Sequence, residues 1–218
     1  MESLHQICIL LIVFLSTSIV NAQDNDSIKT QPLKQKSYIT FNLLTPFDIL
    51  VPRLRLGYIQ SINQHWKVGL ELGYGNKQLA FADFNDDNKA DYQLWEIRPE
   101  VYYFISPWKQ HERYFSTELF YINHKDVFYG KPQFDQADYQ RHKYGFHLKY
   151  GMIFRVSKHL GLNFYTGFGL RIRSNDYSNE INPVDVKDLR DFHPDGYKDF
   201  EGVKTGVDFS LGLKLVVF

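Results

Sequence analysis

Apolar and polar residues alternate with a period of two through most of the chain beyond residue 36. This period places successive side chains on opposite sides of an extended strand, so it predicts β-strands with two chemically different faces. The predicted strands are 37–44, 52–62, 65–75, 93–105, 113–123, 143–154, 160–173 and 206–218. Their lengths of 8 to 14 residues exceed the roughly 5 to 6 of soluble strands and match the about 9 to 11 of a tilted membrane-spanning strand.

The connections between these strands are alternately long and short. In order they contain 7, 2, 17, 7, 19, 5 and 32 residues. Transmembrane barrels have this arrangement, with tight turns on the periplasmic side and long loops outside. We therefore predict an all-β fold, an eight-stranded antiparallel up-and-down transmembrane β-barrel over residues 37–218, with both chain ends on the periplasmic side. The third and fourth outer loops are predicted at 125–141 and 174–204.

The two faces of the strands differ in side-chain size as well as in polarity. On the third strand, for example, Trp66, Val68 and Leu70 alternate with Lys67 and Gly69. Periodicity alone also fits a soluble periplasmic barrel that binds an apolar ligand inside. Glycines gather on the polar face, which suits a narrow interior, while bulky aromatic and aliphatic residues without charge occupy the other face. We therefore predict that the apolar face contacts lipid, with aromatic residues near the strand ends forming an interfacial girdle.

Residues 1–22 have the pattern of a secretory signal peptide. An apolar run precedes Val20, Asn21 and Ala22, and serines and a threonine interrupt it before it reaches the length of a spanning helix. The one cysteine, Cys8, lies in this run, so the exported chain contains no thiol for disulfides or metal sites. Residues 23–36 form a polar leader without a period. These features predict export and localisation in the cell outer membrane.

The charge balance bears on the class of partner. There are 25 basic and 25 acidic side chains, so the net charge of zero gives no support to nucleic acid binding. The 15 tyrosines and 18 phenylalanines favour a folded, β-rich chain over a disordered one.

The segments Trp66–Tyr74 and Leu160–Leu170 are rich in glycine and aromatic residues, and the chain ends in Phe218. With the signal peptide and the eight alternating strands, these features resemble the small eight-stranded outer-membrane β-barrel proteins of Gram-negative bacteria, over about residues 37–218. The resemblance implies the architecture and no reaction. Some relatives are adhesins, envelope stabilisers, small-solute channels or helpers of protein secretion.

Two features depart from that family pattern. In such families the terminal aromatic residue shares its face with alternate apolar residues, whereas Phe218 shares parity with Lys214. Pro99 interrupts the fourth strand, where it removes a backbone donor, and we expect it to mark a β-bulge.

The predicted inner face carries charges of both signs. They are Arg53, Arg55, Lys67, Glu71, Glu96, Arg98, Glu100, Glu118, His147, Lys149, Arg171, Asp208 and Lys214. Unpaired charges are costly to bury, and an eight-stranded barrel leaves room only for side chains, so we expect these groups to pair and plug the lumen. The alternative is a narrow small-solute channel, for which Glu96, Arg98 and Glu100 are the residues to test.

The second outer loop contains an acidic motif that resembles calcium loops of the DxNxDGxxD type. Its predicted ligands are Asp83, Asn85, Asp87, Asp91 and the backbone carbonyl of Lys89. The usual glycine of the motif is replaced by asparagine, and its last acidic ligand is missing. The alternative is a solvated acidic loop; no other cofactor is predicted.

A lipid-modifying enzyme needs a nucleophile, a histidine and an acidic group near the lipid-facing surface. The outward polar residues Thr117 and Thr166 have no outward histidine beside them, and His124 and His142 are interpreted as solvated loop residues. We therefore predict no enzyme. The outer loops mix aromatic and charged residues, which suits contact with an unknown protein or glycan. The predicted function is an envelope-structural or surface-interaction role, with a channel or a secretion-accessory barrel as the alternative.

Overall fold

Eight antiparallel strands form a closed barrel in the computed structural model, which describes residues 37–48, 51–79, 91–107, 111–131, 134–183 and 201–218. The strands are β1 (Tyr38–Asn42), β2 (Leu54–Ser61), β3 (Trp66–Asn76), β4 (Gln93–Pro107), β5 (His111–Lys131), β6 (Phe134–Arg155), β7 (Leu160–Ile181) and β8 (Gly202–Val217). Each strand pairs with its neighbour in sequence, and β1 pairs with β8 through Ile39 and Val217. The predicted fold class is confirmed. Among the described residues, no helix is both long and apolar enough to cross a membrane.

The strands bury one side chain and expose the next, as the alternating sequence predicts. On β4, Glu96 and Glu100 are buried, while Trp95 and Val101 on the opposite parity are exposed. The outer wall is strongly apolar, and some of its side chains have no protein contact over most of their surface. Phe209, for example, is 81% exposed. The barrel thus has a polar inside and an apolar outside.

One end of the barrel, called here the turn end, carries the short connections and the residues Ser37 and Phe218. The β2–β3 turn is held by Asn63, whose Oδ1 accepts hydrogen bonds from the amides of His65 and Trp66. In the β6–β7 turn, Ser157 Oγ plays the same role. The opposite end, where the segment 43–53 connects β1 to β2, is called the loop end.

The strands β5, β6 and β7 extend well beyond the others at the loop end, which corrects the predicted third outer loop at 125–141. Pairing of β5 with β6 continues from Lys125 and Gln140 to Lys131 and Phe134. Phe128, Phe134, Ala137 and Tyr139 form a buried cluster in this extension. The predicted fourth loop at 174–204 is likewise shorter, because β7 continues to Ile181 and β8 begins at Gly202.

Pro99 does not produce the predicted bulge. The register between β4 and β5 is the same on both sides of Pro99, since Ile97 pairs with Tyr121 and Glu100 with Glu118. The proline therefore removes one backbone donor without inserting an extra residue. The register shifts instead between Phe104 and Ser106, close to the turn end.

Candidate functional site

The centre of the lumen is organised around Glu96 of β4. Its Oε1 accepts hydrogen bonds from Arg53 Nε at 2.9 Å and Arg55 Nε at 2.7 Å, and its Oε2 accepts one from Arg98 Nε at 2.9 Å. One buried carboxylate thus serves three guanidinium groups. Such charge-assisted bonds are stronger than neutral ones, and they compensate part of the cost of burying the ions.

A second carboxylate, Glu118 of β5, continues the network. It accepts hydrogen bonds from Arg98 Nη1 at 2.8 Å and from Lys149 Nζ at 2.8 Å. Lys149 also donates to Glu100 at 2.7 Å, and Glu100 accepts further bonds from Tyr102 and Ser116. The alternating signs let each ion have at least two partners.

Two further branches leave this centre. Lys214 of β8 is hydrogen-bonded to Glu71, whose other oxygen lies 3.7 Å from Arg55 Nη1. On the other side, His147 bridges Glu118 and Asp208 at 3.0 and 3.2 Å.

The structure brings together twelve of the thirteen predicted lumen residues in one connected set of ion pairs and hydrogen bonds. They are Arg53, Arg55, Glu71, Glu96, Arg98, Glu100, Glu118, His147, Lys149, Arg171, Asp208 and Lys214. All of these are buried except Arg171, which is partly exposed. Lys67 lies apart, near the turn end, where it contacts Tyr38 and Glu112.

Several charged partners were missed by sequence reasoning. Lys143 Nζ lies 2.7 Å from Asp208, Asp48 accepts a bond from Arg53, and Glu112 accepts one from Arg155. Lys143 has the same parity as His147 and Lys149, so strict alternation along β6 would have placed it inside. Asp48 lies in a connection, where no period applies.

An apolar layer lies in the lumen between the central network and Lys67, and it too was missed. It consists of Tyr38, Ile59, Tyr102, Phe104, Tyr114, Ile153 and Val216. These residues come from β1, β2, β4, β5, β6 and β8, so the layer reaches across the barrel. Tyr102 and Tyr114 pack edge to face, with ring centroids 5.1 Å apart. Tyr102 and Tyr114 lie an even number of residues from Glu100 and Glu118 on the same strands. Strict alternation could therefore have identified both tyrosines as inward-facing.

The side chain of Phe218 lies inside the lumen at the turn end, which accounts for its departure from the family pattern. Its ring packs against Tyr38 with centroids 5.1 Å apart, and the Arg155 guanidinium lies 4.5 Å from the ring centroid. The amide of Phe218 also donates to the carbonyl of His159. The terminal residue is thus a cap on the apolar layer.

We expect Phe218→Ala to lower the free energy of unfolding by about 2 kcal/mol, because full burial of such a side chain contributes about 1.5 to 3 kcal/mol and Phe218 is partly buried. Urea unfolding of the detergent-refolded chain measures the effect. Phe218→Leu keeps an apolar side chain without the aromatic contacts and should lose about half as much. An unchanged unfolding midpoint for the alanine variant would contradict the capping role.

The loop end carries a cavity of about 420 Å³, called here the mouth cavity. Its wall includes the cationic side chains of Arg53, Arg55, Arg98, Arg141 and Lys143. The carboxylates in its wall are Asp48 and Asp208. Phe209, Ser210 and Leu211 of β8 also line it.

The segment that borders the mouth cavity is fixed by local hydrogen bonds. Asn42 Oδ1 accepts bonds from the amides of Leu44 and Thr45, and the amide of Val51 donates to Asp48 Oδ1. Arg53 Nη1 donates to the carbonyl of Val51 at 2.7 Å. These bonds fix residues 42–48 and 51–53 at the border of the cavity.

Above the mouth cavity, a second buried group lies within the protruding strands. His124 is fully buried, which overturns its interpretation as a solvated loop residue, and its ring contacts Tyr92 and Tyr139 edge to face. The Tyr92 hydroxyl donates to the carbonyl of Pro52, and burial raises the pKa of Tyr92 above its ordinary value. His142 lies instead at the outer surface, where Tyr121 contacts its Nδ1 at 2.8 Å.

The predicted calcium loop falls almost entirely outside the described residues. This applies to Asp83, Asn85, Asp87 and Lys89, and Asp91 alone is described, as an exposed residue. Calcium binding there stays a prediction. In the described ranges, no group of three or more His, Cys, Asp or Glu side chains is arranged to hold a metal ion.

Comparisons with known proteins give one family and one solved structure. A family model described as "Protein of unknown function (DUF3575)" matches residues 9–193. The fold is similar to that in the crystal structure of neisserial surface protein A (NspA), at 12% sequence identity and a TM-score of 0.40, over 83% of this chain and 93% of that one. No curated protein matches the chain.

Proposed function

We propose that this chain, which belongs to the DUF3575 family, is a non-enzymatic outer-membrane β-barrel with a closed lumen and a role in envelope structure or surface interaction. The observation that carries the proposal is the combination of an apolar outer wall with an interior filled by paired charges and a transverse apolar layer. Exposed apolar residues surround the barrel on all sides, and lipid is the environment that such a wall suits.

The proposed orientation of the barrel in the membrane is supported by the difference between its two ends. The turn end has short connections and holds both Ser37 and Phe218, as expected for the periplasmic side of such barrels. The loop end, with the protruding strands β5, β6 and β7, then faces the cell exterior. The partner proposed there is a protein or glycan that contacts the exposed side chains of the β5–β6 hairpin.

A heat-modifiability gel of outer-membrane fractions tests the barrel, and proteolysis of intact cells tests its orientation. We expect the unheated protein to migrate differently from the boiled one. Cleavage should be confined to the loop end. A chain that is recovered in the soluble periplasmic fraction without a mobility shift would refute the proposal and favour a soluble ligand-binding barrel.

The β5–β6 hairpin provides a test of the surface role. Residues 127–138 can be replaced by a short glycine-containing turn, because the pairing of β5 with β6 continues unbroken below them. The shortened protein should retain its heat-dependent mobility and lose any adhesion or partner binding that the wild type confers on cells. Unchanged adhesion would remove the hairpin from the proposed interface.

We expect the purified protein to show no steady ionic conductance in a planar lipid bilayer. The aromatic side chains of Tyr102 and Tyr114 lie across the lumen, and their hydroxyls are bonded to Glu100 and Asn163. The double variant Tyr102→Ala, Tyr114→Ala removes both rings and should conduct. Steady single-channel steps in the wild type, altered by Glu96→Gln or Arg98→Gln, would instead establish the channel alternative.

A further inference from the structure

We propose that the mouth cavity is a binding site for an anionic amphiphile, a lipid whose phosphate group enters the cavity while its acyl chains lie along the outer wall of β8. The proposal rests on the membrane location proposed above. It concerns a site that a closed, purely structural barrel does not need. Three features support it: an opening in the barrel wall, an excess of cationic groups inside the cavity, and an apolar surface beside the opening.

The opening arises because β1 is much shorter than β8. The last pairs between them are Asn42 with Lys214 and the hydrogen bond from the Leu43 amide to the Leu213 carbonyl. Beyond that point the chain turns into the 3-10 helix Thr45–Phe47, whereas β8 begins as early as Gly202. In the described part of the chain, no strand pairs with this edge of β8 above Leu213. Among the described residues, the hydrogen-bonded wall is therefore interrupted between β8 and the residues that follow β1.

The mouth cavity reaches the outer surface at this interruption. Its lining includes inward-facing groups such as Arg55 and Lys143 together with Leu44, Phe209 and Leu211. Phe209 and Leu211 are outward-facing and are 81% and 78% exposed. The cavity thus reaches the edge of β8 from Phe209 to Leu211, where pairing with β1 has ended. This edge is the lateral entrance of the proposed site.

The charge of the cavity favours an anion. Five cationic side chains and two carboxylates line it. Behind the lining, Glu96 is shared by Arg53, Arg55 and Arg98. Each arginine has one further acidic partner, which is Asp48 for Arg53, Glu71 for Arg55 and Glu118 for Arg98. These three arginines are more than nine-tenths buried, and in such surroundings the attraction for a phosphate is weakly screened. Arginine forks match the geometry of phosphate oxygens.

The surface beside the opening matches the rest of an amphiphile. Phe209 pairs with Phe168 on the outer face of β7, and Leu211 pairs with Thr166. An acyl chain that leaves the cavity at Leu211 therefore continues along an apolar wall. A free inorganic anion would contact only the cationic part of this site, whereas a lipid would also contact the apolar wall. Loss of the apolar contact should therefore affect only the lipid.

The test is isothermal titration calorimetry of the full refolded chain in a non-ionic detergent. The probes are dihexanoyl phosphatidic acid, dihexanoyl phosphatidylcholine and inorganic phosphate, and a heat-modifiability gel on the same sample verifies that the barrel is folded. We expect the phosphatidic acid to bind at least tenfold more tightly than either of the other probes. Lys143→Gln should weaken its binding about tenfold, the usual effect of losing one hydrogen bond to a charged group.

Matched controls separate the site from general effects on the barrel. Arg155→Gln removes a cation that pairs with Glu112 at the turn end, and Leu119→Ser removes an exposed leucine from the distant outer face of β5. Both should leave binding unchanged, whereas Leu211→Ser should weaken binding of the lipid and leave that of inorganic phosphate unaltered.

Three outcomes overturn the inference. Equal binding of inorganic phosphate and phosphatidic acid, with no effect of Leu211→Ser, would make this a site for free anions. Equal binding of phosphatidylcholine would show that the site does not select for a net negative charge on the lipid. A folded barrel that binds none of the probes would remove the site and leave the proposed function intact, while an absent mobility shift would count against the proposed function itself.

Discussion

Replacing Glu96 by glutamine is expected to lower the free energy of unfolding by about 3 to 5 kcal/mol, the usual cost of removing one partner from a buried ion pair. The substitution keeps the shape of the side chain and removes its charge. Arg53, Arg55 and Arg98 would then share no common carboxylate, and each would keep only its second acidic partner. These partners are Asp48 for Arg53, Glu71 for Arg55 and Glu118 for Arg98. Neighbouring guanidinium groups would repel one another in surroundings from which water is largely excluded.

Urea unfolding of the detergent-refolded chain, followed by tryptophan fluorescence, measures this loss. The matched control is Glu180→Gln, which neutralises an exposed carboxylate on the protruding part of β7 and should change stability by less than about 0.5 kcal/mol. If both variants unfold at the same urea concentration, the lumen is hydrated well enough to solvate the arginines. The interior would then not be closed in the way proposed here.

The barrel itself could be predicted from the sequence because its two faces differ so strongly. In β3, for instance, Trp66, Val68 and Leu72 are exposed while Lys67 and Glu71 are buried, in agreement with the apolar-outside interpretation. Lipid on one side and ion pairs on the other impose a strict period of two. The predicted and observed limits of β3 consequently differ by only one residue at each end.

The extension of β5 and β6 beyond the predicted strands could not be predicted in this way, because its outer face is not consistently apolar. There the inner face mixes Asp126 with Phe128, while the outer face carries Lys125 and Tyr129. With polar residues on both sides, the period disappears although the strand continues. Its backbone is satisfied by pairing with β6 and its inner face by the aromatic cluster around Tyr139.

The residue types that face the lumen could be predicted from the sequence. The pairs of side chains that bond to each other could not. Alternation identifies Glu96 and Glu118 as inward-facing residues. Which arginine reaches which carboxylate depends on the stagger between strands, as when Arg55 of β2 reaches across β3 to Glu96 of β4. The mouth cavity was equally hidden, because it depends on where β1 ends relative to β8.

Gly169→Ala is expected to destabilise the barrel by about 3 kcal/mol, at the upper end of the usual cost of overpacking. Gly169 of β7 lies between His147 of β6 and Asp208 of β8. A Cβ atom added there would overlap the backbone carbonyl of Phe146, and backbone cannot move aside as a flexible side chain can. Strands β6 and β7 would have to separate locally. This separation would also pull His147 away from Asp208.

Gly206→Ala on the adjacent strand is the matched control, since its Cβ would meet only Arg171 Nε at 3.8 Å. That contact is ordinary, so the control should unfold within about 0.5 kcal/mol of the wild type. The comparison separates the steric effect from the general preference of strands for alanine over glycine. Equal stability of both variants would mean that β6 and β7 can adjust their spacing. In that case the inward glycines would not be required by the narrowness of the barrel, and side-chain size would lose its value for orienting the two faces from sequence.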